Sequence, residues 1–469
     1  MLGDVMHSKW FSAGLSLALV SLAATVAHPA SAAPSARTAA AANSDWSGFY
    51  VGVNGGYGVA SDPMTTTFTP ATNGGYQLGL GPEGWLGGGQ IGYNSQFGRW
   101  ILGVEADAQA SGLKDSICFD ACKPTISFNV EQKLPWFATV RGRIGYAAGS
   151  VLLYGTGGMA FATVKTSPYQ VDAGSVSSGS FSDFRTGWTV GGGIESALSD
   201  GWSAKFEYLY MDFGRISHSL PDAYSGAAHP ETYAFEIRQQ LVRLGLNYHF
   251  GAHRGQTTFA ASPAVNWSGF YVGGNFGYAI ERTPTDTYSL VYGTSDQSPM
   301  TPRSVVGGVQ AGANWQMRHW VLGVEADYQR THQSESDCGT CLSNNSTNRG
   351  QTINWLATAR GRVGYAFGQT LYYATGGLAL TRVNADYFAI DGGPLASGNF
   401  SDTKTGWTLG CGVETALSGN WTAKAEYLFL DFGNITHLMP VVGSTDQAGF
   451  SSDIRDHVFR FGVNYHFGA

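Results

Sequence analysis

The sequence predicts an all-β chain folded as a transmembrane antiparallel β-barrel, and three observations carry that prediction. One unit is written twice, its strands alternate between an aromatic and a charged face, and the composition suits strands. The chain closes on Asn464-Tyr465-His466-Phe467-Gly468-Ala469, which already occurs from Asn247 to Ala252. Trp46-Ser47-Gly48-Phe49-Tyr50-Val51-Gly52 returns from Trp267 to Gly273, Gly103 to Asp107 as Gly323 to Asp327, and Glu207-Tyr208-Leu209 as Glu426-Tyr427-Leu428. Each unit, at roughly 200 residues, is far longer than a solenoid repeat of about 20 to 50, so two whole domains are the simpler reading. The 65 Gly, 23 Tyr, 26 Phe and 13 Trp against only 13% charged residues point to β structure. A net charge of −7 offers no basic surface for nucleic acid.

At the N-terminus Lys9 precedes an apolar run from Trp10 to Ala27, and Ala30-Ser31-Ala32 supplies a small-x-small cleavage pattern. Residues 1–32 are therefore expected to be a signal peptide removed on export, with 33–45 as an N-terminal extension. Beyond them no stretch of about 18 unbroken apolar residues exists to form a spanning helix.

The first unit, 46–250, reads as eight strands at 46–60, 84–97, 100–112, 127–147, 150–165, 184–198, 201–213 and 232–250. Gly98-Arg99, the neighbourhood of Gly149 and Ser199-Asp200 are tight turns, while long polar stretches follow Ala60, Gly112, Lys165 and Phe213. Short turns on one side and long loops on the other match a bacterial outer-membrane barrel. A soluble β-sandwich gives no reason for that asymmetry.

Successive side chains on a strand point to opposite faces, and the phase is consistent. Leu102, Val104, Ala106 and Ala108 oppose Glu105 and Asp107; Trp136, Ala138, Val140, Ile144 and Tyr146 oppose Thr139, Arg141 and Arg143. Trp188, Val190 and Ile194 oppose Glu195; Trp202, Ala204, Phe206, Tyr208 and Tyr210 oppose Lys205 and Glu207; Val242, Leu244, Leu246, Tyr248 and Phe250 oppose Arg243 and Asn247. Lys or Arg facing the bilayer midplane costs about 2 to 4 kcal/mol, so the charged face must be the lumen. The predicted interior set is Glu105, Asp107, Glu195 and Glu207 with Arg141, Arg143, Lys205 and Arg243. In the second unit it is Glu325, Asp327, Glu414 and Glu426 with Arg360, Arg362, Lys424 and Arg460. Balanced charges in a narrow interior are expected to pair and block it.

The entry motif from Trp46 to Gly52, the Tyr154-Gly155-Thr156-Gly157-Gly158 run, the Gly187 to Glu195 strand, Glu207-Tyr208-Leu209-Tyr210 and the terminal Asn-Tyr-His-Phe together carry a resemblance. The chain resembles the small outer-membrane β-barrel proteins of alphaproteobacteria, labelled porin-family or outer-membrane immunogenic proteins, over nearly its whole length and twice. The resemblance implies residence in the outer membrane and, for each unit, one eight-stranded barrel similar to the OmpA membrane domain. The closing strand, through Phe459, Phe461, Val463, Tyr465 and Phe467, resembles the signal read by the barrel assembly machinery, although Gly468 and Ala469 follow the aromatic. Phe250, Tyr248, Leu246 and Leu244 make an internal copy. Expected partners are outer-membrane lipid, that machinery and periplasmic chaperones, with no nucleic acid.

No residue set predicts catalysis, a cofactor or a metal. His249 and His466 sit beside strand ends and read as polar residues of the periplasmic rim. Glu105 with Asp107 reads as paired structural charge facing Arg141 and Arg143. Gly87-Gly88-Gly89 and Gly191-Gly192-Gly193 lack the Lys-Ser/Thr follower and helix of a phosphate loop. Cys118 with Cys122, and Cys338 with Cys341, occupy matching loops and are expected to form local disulfides in an oxidising compartment. Cys411 receives no role. Residues 251–266 form a linker before the second unit, 267–469. It would permit two barrels or one sixteen-stranded barrel; two are favoured because each unit carries its own balanced filling. The expected function is a non-enzymatic, structural or surface-recognition barrel, with a passive diffusion channel and an outer-membrane lipid-modifying enzyme as alternatives.

Overall fold

Alternating, β-branched and aromatic segments fold into sixteen long strands in a computed structural model that describes residues 44–67, 76–198, 201–222, 226–250, 265–289, 294–297, 299–339, 345–391, 394–443 and 447–467. The expected signal peptide, most of the 33–45 extension, most of the 251–266 linker and the Ser199-Asp200 turn lie outside the described residues. In the first unit the strands are β1 (Gly48–Ala60), β2 (Glu83–Phe97), β3 (Trp100–Lys123), β4 (Ile126–Ala148), β5 (Val151–Asp172), β6 (Phe181–Ala197), β7 (Trp202–Asp222) and β8 (Gly226–His249). In the second they are β9 (Gly269–Arg282), β10 (Arg303–Met317), β11 (Trp320–Gly339), β12 (Asn345–Phe367), β13 (Thr370–Asp391), β14 (Pro394–Ala416), β15 (Trp421–Pro440) and β16 (Gln447–Phe467).

Each strand pairs antiparallel with its sequence neighbours, and each set closes on itself. β1 pairs with β8, Val53 opposite Leu246, and β9 pairs with β16, Gly274 opposite Val463. Two eight-stranded rings result, and no pairing joins β8 to β9 among the described residues, so the single sixteen-stranded ring is not formed. Closure leaves no lipid-exposed backbone edge, which a membrane barrel requires.

Three stretches read as long loops in the first unit are instead strand. β3 runs to Lys123, β5 to Asp172 and β7 to Asp222. Irregularities at Ala110/Leu113, Lys133/Trp136 and Asp212/Arg215 interrupt the ladders. A bulge adds one residue to a strand, and the buried face shifts phase on β7, from Met211 and Phe213 to Ile216 and Leu220, and on β4, from Leu134 to Phe137. β3 keeps its odd-numbered face inward to Phe119, and β5 its even-numbered face inward to Gln170. Cys118 and Cys122 therefore sit at the far end of β3 rather than in a loop. The tight turns need a left-handed residue, as two-residue hairpins do. Gly98 and Gly149 both take φ of 65°, and Arg318 holds φ of 58° in the second unit's matching turn.

Trp136 and Tyr146 both face outward and lie ten residues apart on β4. At about 3.3 Å per residue and a tilt near 45°, they bracket roughly 23 Å, close to the height of about 25 Å of an outer-membrane apolar band. Because spanning takes about 9 to 11 residues, roughly half of β3, β4, β5 and β8 extends past the band, opposite the tight turns.

Both rings belong to one compact unit, and they pack through the same outward patch. Val59, Val151, Ile194, Phe206 and Val242 of the first cluster with Ile280, Val413, Ala425 and Phe459 of the second. The Tyr208 and Phe459 rings lie 5.2 Å apart. Phe206, read from its phase as lipid-facing, is only 3% exposed because the neighbouring barrel covers it. Val59 pairs with Glu83 as Ile280 pairs with Arg303, so Glu83 matches Arg303 and Ser61 matches Arg282. Arg282 bonds Glu83, and reciprocally Arg303 Nη1 donates to Ser61 O at 3.0 Å and Ser61 Oγ at 2.7 Å. This exchange of matching positions is the mark of an approximate two-fold interface. When the chain is cut at a protease site engineered between 251 and 264, the halves should co-elute in mild detergent. Glu83→Arg, which sets a like charge against Arg282, should weaken their association by about 1 to 3 kcal/mol and separate them on gel filtration.

Candidate functional site in the barrel lumens

Strand register brings the predicted interior charges together. β3 sets Glu105 opposite Arg141, β7 sets Glu207 opposite Arg243, and Lys205 faces Glu195 on β6. All eight charged side chains of the first unit are buried. Arg141 bonds Glu105 and also reaches Asp107 Oδ2 at 2.9 Å and Glu207 Oε1 at 3.1 Å. Arg243 places Nε 2.6 Å from Glu207 Oε2 and Nη1 3.0 Å from Asp107 Oδ1. Lys205 Nζ donates to Glu105 Oε1 at 2.9 Å, and Arg143 Nη2 to Glu195 Oε2 at 2.8 Å.

The second lumen repeats this wiring. Arg360 bonds Glu325, Asp327 at 2.8 Å and Glu426 at 3.1 Å; Arg460 bonds Glu426 at 2.5 Å and Asp327 at 3.1 Å. Lys424 reaches Glu325 at 2.8 Å and Arg362 reaches Glu414 at 3.0 Å. Such pairing offsets a desolvation cost of several kcal/mol per ion, because nearly every charge meets more than one opposite partner.

Aromatic members of the network escaped the alternation reading, which assigns rings to the lipid face. Tyr50 Oη donates to Glu105 Oε2 at 2.8 Å and Tyr154 Oη to Glu207 Oε1 at 2.9 Å, matched by Tyr271 with Glu325 and Tyr373 with Glu426. The signal was present in glycine. A Cβ at Gly92 would lie 2.3 Å from the Tyr50 ring, and one at Gly158 only 2.7 Å from Arg141 Cα. Glycine on the neighbouring strand thus makes room for each inward side chain.

His249 and His466 are not rim residues. They are 2% and 0% exposed and turn into the lumen because their strands keep the inward phase to the last pair. His249 Nε2 lies 3.0 Å from Ser203 Oγ and 3.3 Å from Glu195 Oε1, with the Trp46 ring edge-on at 5.6 Å. Trp46 and Trp267, fully buried, help close the turn-side end.

Above the charges apolar side chains fill much of each lumen, and the second also buries Glu281, Asp456, Gln333 and Gln351 there. Met64, Val130, Leu134, Phe137, Leu209, Met211, Phe213, Phe235, Ile237 and Leu241 fill the first barrel, and Ile353, Leu356, Leu428, Leu430, Phe432 and Ile454 belong to the second filling. Cys118 is joined to Cys122 near this end. Cys338 is also disulfide-bonded, and its expected partner Cys341 lies outside the described residues. Cys411 packs between the barrels. Phe461, Val463 and Phe467 of the closing strand are exposed outward, whereas Phe459 is buried against the first barrel; Tyr465 stacks edge-on with Trp421 and Phe467.

A family model described as "Outer membrane protein beta-barrel domain" matches residues 20–250 and again 256–467. The chain belongs to that family. This outer-membrane barrel protein is 36% identical over 223 residues to the 31 kDa outer-membrane immunogenic protein of Brucella melitensis, covering 45% of this chain and 88% of the relative. It is 30% identical to the 22 kDa outer membrane protein of Rhizobium leguminosarum bv. viciae, covering 44% and 78%. A solved structure, Neisserial surface protein A, aligns with TM-score 0.23 and 15% identity over 43% of this chain and 98% of that one. The protein resides in the cell outer membrane.

Removing one base from a barrel leaves acids unpaired in its lumen. Arg141→Ala should destabilise the first barrel by about 3 to 5 kcal/mol, seen by limited proteolysis in urea as loss of the first barrel while the second persists. Arg360→Ala should invert that order. Tyr50→Phe, which removes a hydroxyl donor from Glu105, should cost about 1.5 to 3 kcal/mol.

Proposed function

We propose that this outer-membrane protein is a non-enzymatic, plugged pair of barrels that holds a rigid surface of strand extensions above the bilayer, serving a structural or surface-recognition role. The observation that carries this reading is the filling of each lumen, ionic toward the turn side and packed with largely apolar side chains beyond it, among which the second barrel also buries polar groups. A diffusion path would have to cross both layers. The extensions of β3 with β4 and of β7 with β8 stand on that filled base, the arrangement in which loops on a rigid scaffold recognise partners. That the Brucella relative is named immunogenic fits accessible extensions of this kind. Outward Phe461, Val463 and Phe467 on β16 support recognition by the barrel assembly machinery, after passage with periplasmic chaperones, and the aromatic band supports lipid as the surrounding partner.

Among the described residues the closest approach to a catalytic set is Ser203, His249 and Glu195, with Thr422, His466 and Glu414 in the second barrel. Its geometry favours structure over catalysis. Ser203 Oγ donates to Glu195 Oε1 at 2.6 Å, and hydroxyl and carboxylate both lie at Nε2 of the ring. A base that activates a hydroxyl needs its acid at the opposite nitrogen. In planar bilayers the refolded protein should give no steady open-pore conductance, and large wild-type conductance would reject the plugged reading. Hydrolysis or acyl transfer on lipid substrates that disappears in His249→Ala would reject the non-enzymatic one.

A further inference from the structure

The two lumens are wired alike in the charge layer but not above it. At the top of the second barrel β9 sets Glu281 opposite Asp456 on β16, and both side chains are fully buried. Gln351 on β12 and Gln333 on β11 reach them from across the ring. Gln351 Nε2 donates to Glu281, Gln333 Nε2 donates to Asp456 Oδ2 at 2.9 Å, and Thr283 Oγ1 donates to Glu281 Oε1 at 2.6 Å. Each amide therefore turns its nitrogen to a carboxylate and leaves its carbonyl oxygen over. Glu281 Oε2, Asp456 Oδ1, Gln333 Oε1 and Gln351 Oε1 are all buried without a hydrogen-bond partner among the described residues.

No base answers these two acids. The neighbouring Arg349 is taken by Asp337 at 2.9 Å, and Arg460 below is taken by Glu426 and Asp327. Neither Glu281 nor Asp456 enters an ion pair among the described residues. Glu335, a third acid on the same face of β11, accepts the Thr301 amide, and burial pushes its carboxyl up to about 7.

The first barrel is an internal control. There Ala60 stands opposite Gln239 in the register that holds Glu281 opposite Asp456. Leu113 pairs with Leu134 as Gln333 pairs with Ile353, and Gln132 matches Gln351. The buried acid beside this point in the first barrel is Asp62, which stands where the second has Thr283 and whose Oδ1 accepts the Arg238 amide. The second barrel has instead gathered two carboxylates and an extra amide at the matching point of its wall.

We propose that Glu281, Asp456, Gln333 and Gln351 form a binding site for a hard divalent cation, Ca²⁺ in preference to Mg²⁺, in the lumen of the second barrel. Carboxylate and amide oxygens are the donors that hard cations take, and two carboxylates balance a divalent charge. Ca²⁺ accepts about six to eight oxygens in flexible geometry, so four protein oxygens can be completed by water, whereas Mg²⁺ demands a stricter octahedron. A cation here would tie together four strands from opposite sides of the ring.

The test is calorimetric titration of Ca²⁺ into EDTA-stripped, refolded full-length protein at pH 7.5, with Tb³⁺ luminescence as a second readout. One saturable site per chain is expected, with Mg²⁺ a weaker competitor. Glu281→Ala combined with Asp456→Gln installs the first barrel's own residues and should weaken Ca²⁺ at least tenfold. Gln333→Leu, also taken from the first barrel, should weaken it several-fold and serves if the double variant fails to fold. Equal binding by wild type and a folded variant, which would mean surface carboxylates only, overturns the proposal. So does absence of saturable Ca²⁺ binding accompanied by uptake of protons at these two residues, which would make them a protonated pair.

Discussion

Each ring must neutralise the eight charges of its inner layer, and the rest of the structure depends on that constraint. Lipid outside forbids charged side chains on the outer face, so every mid-strand charge is driven inward, where only another charge or a hydrogen bond can compensate it. Glu105 shows the solution. It meets Arg141, Lys205 and Arg243 from three strands and the hydroxyl of Tyr50 from a fourth. Register is then no longer free. Sliding one strand by a single residue would turn its charge to lipid and strip partners from several others at once. The network thus selects one closed barrel out of the many registers that apolar alternation alone would accept.

The same logic explains why two rings form instead of one. A sixteen-stranded ring would place Glu105 and Arg243 at the wall of a wide channel, where water rather than neighbouring guanidinium groups would solvate them. Eight strands bring opposite walls within side-chain reach, as the 3.0 Å contact from Arg243 Nη1 on β8 to Asp107 Oδ1 on β3 demonstrates. Closed rings have no free strand edge to join at this patch, so the barrels associate there chiefly through outward side chains, around Phe206, Val242, Ala425 and Phe459.

Much of this was legible in the sequence. Strand phase identified the sixteen lumen charges because polarity contrast is strongest inside the bilayer, where lipid permits nothing else. Beyond the bilayer both faces meet polar surroundings or an apolar plug, so the contrast fades and the far halves of β3, β5 and β7 read as loops; on β7 a bulge also reverses the phase. Tyr50 and Tyr154 were missed for a related reason: a phenol is amphipathic, and its ring suggests lipid while its hydroxyl belongs to the network. Phe206 and Phe459 carried no sign of burial, since a surface facing lipid and one facing another barrel demand the same apolar side chains. For His249 and His466 position near a strand end suggests the rim, whereas their phase, shared with Arg243 and Arg460, puts them inside the lumen.

Comparing the two units separates what folding requires from what each barrel has acquired. Within the charge layer, Glu105, Asp107, Arg141, Arg143, Glu195, Lys205, Glu207 and Arg243 each have the identical residue at the matching position, because a change in any one would strand its partners. Differences gather where that penalty is absent. At the interface the first barrel offers Ser61 and Glu83 where the second offers Arg282 and Arg303. A pair of second-type barrels would bring Arg282 against Arg303, and a pair of first-type barrels would leave Glu83 without a cation. The mixed pair alone joins Arg282 to Glu83, so the divergence favours association of the two barrels within one chain over pairing of like barrels between chains. The duplicated fold thus keeps the chemistry of its charge layer fixed while its outer surface specifies which barrel it packs against.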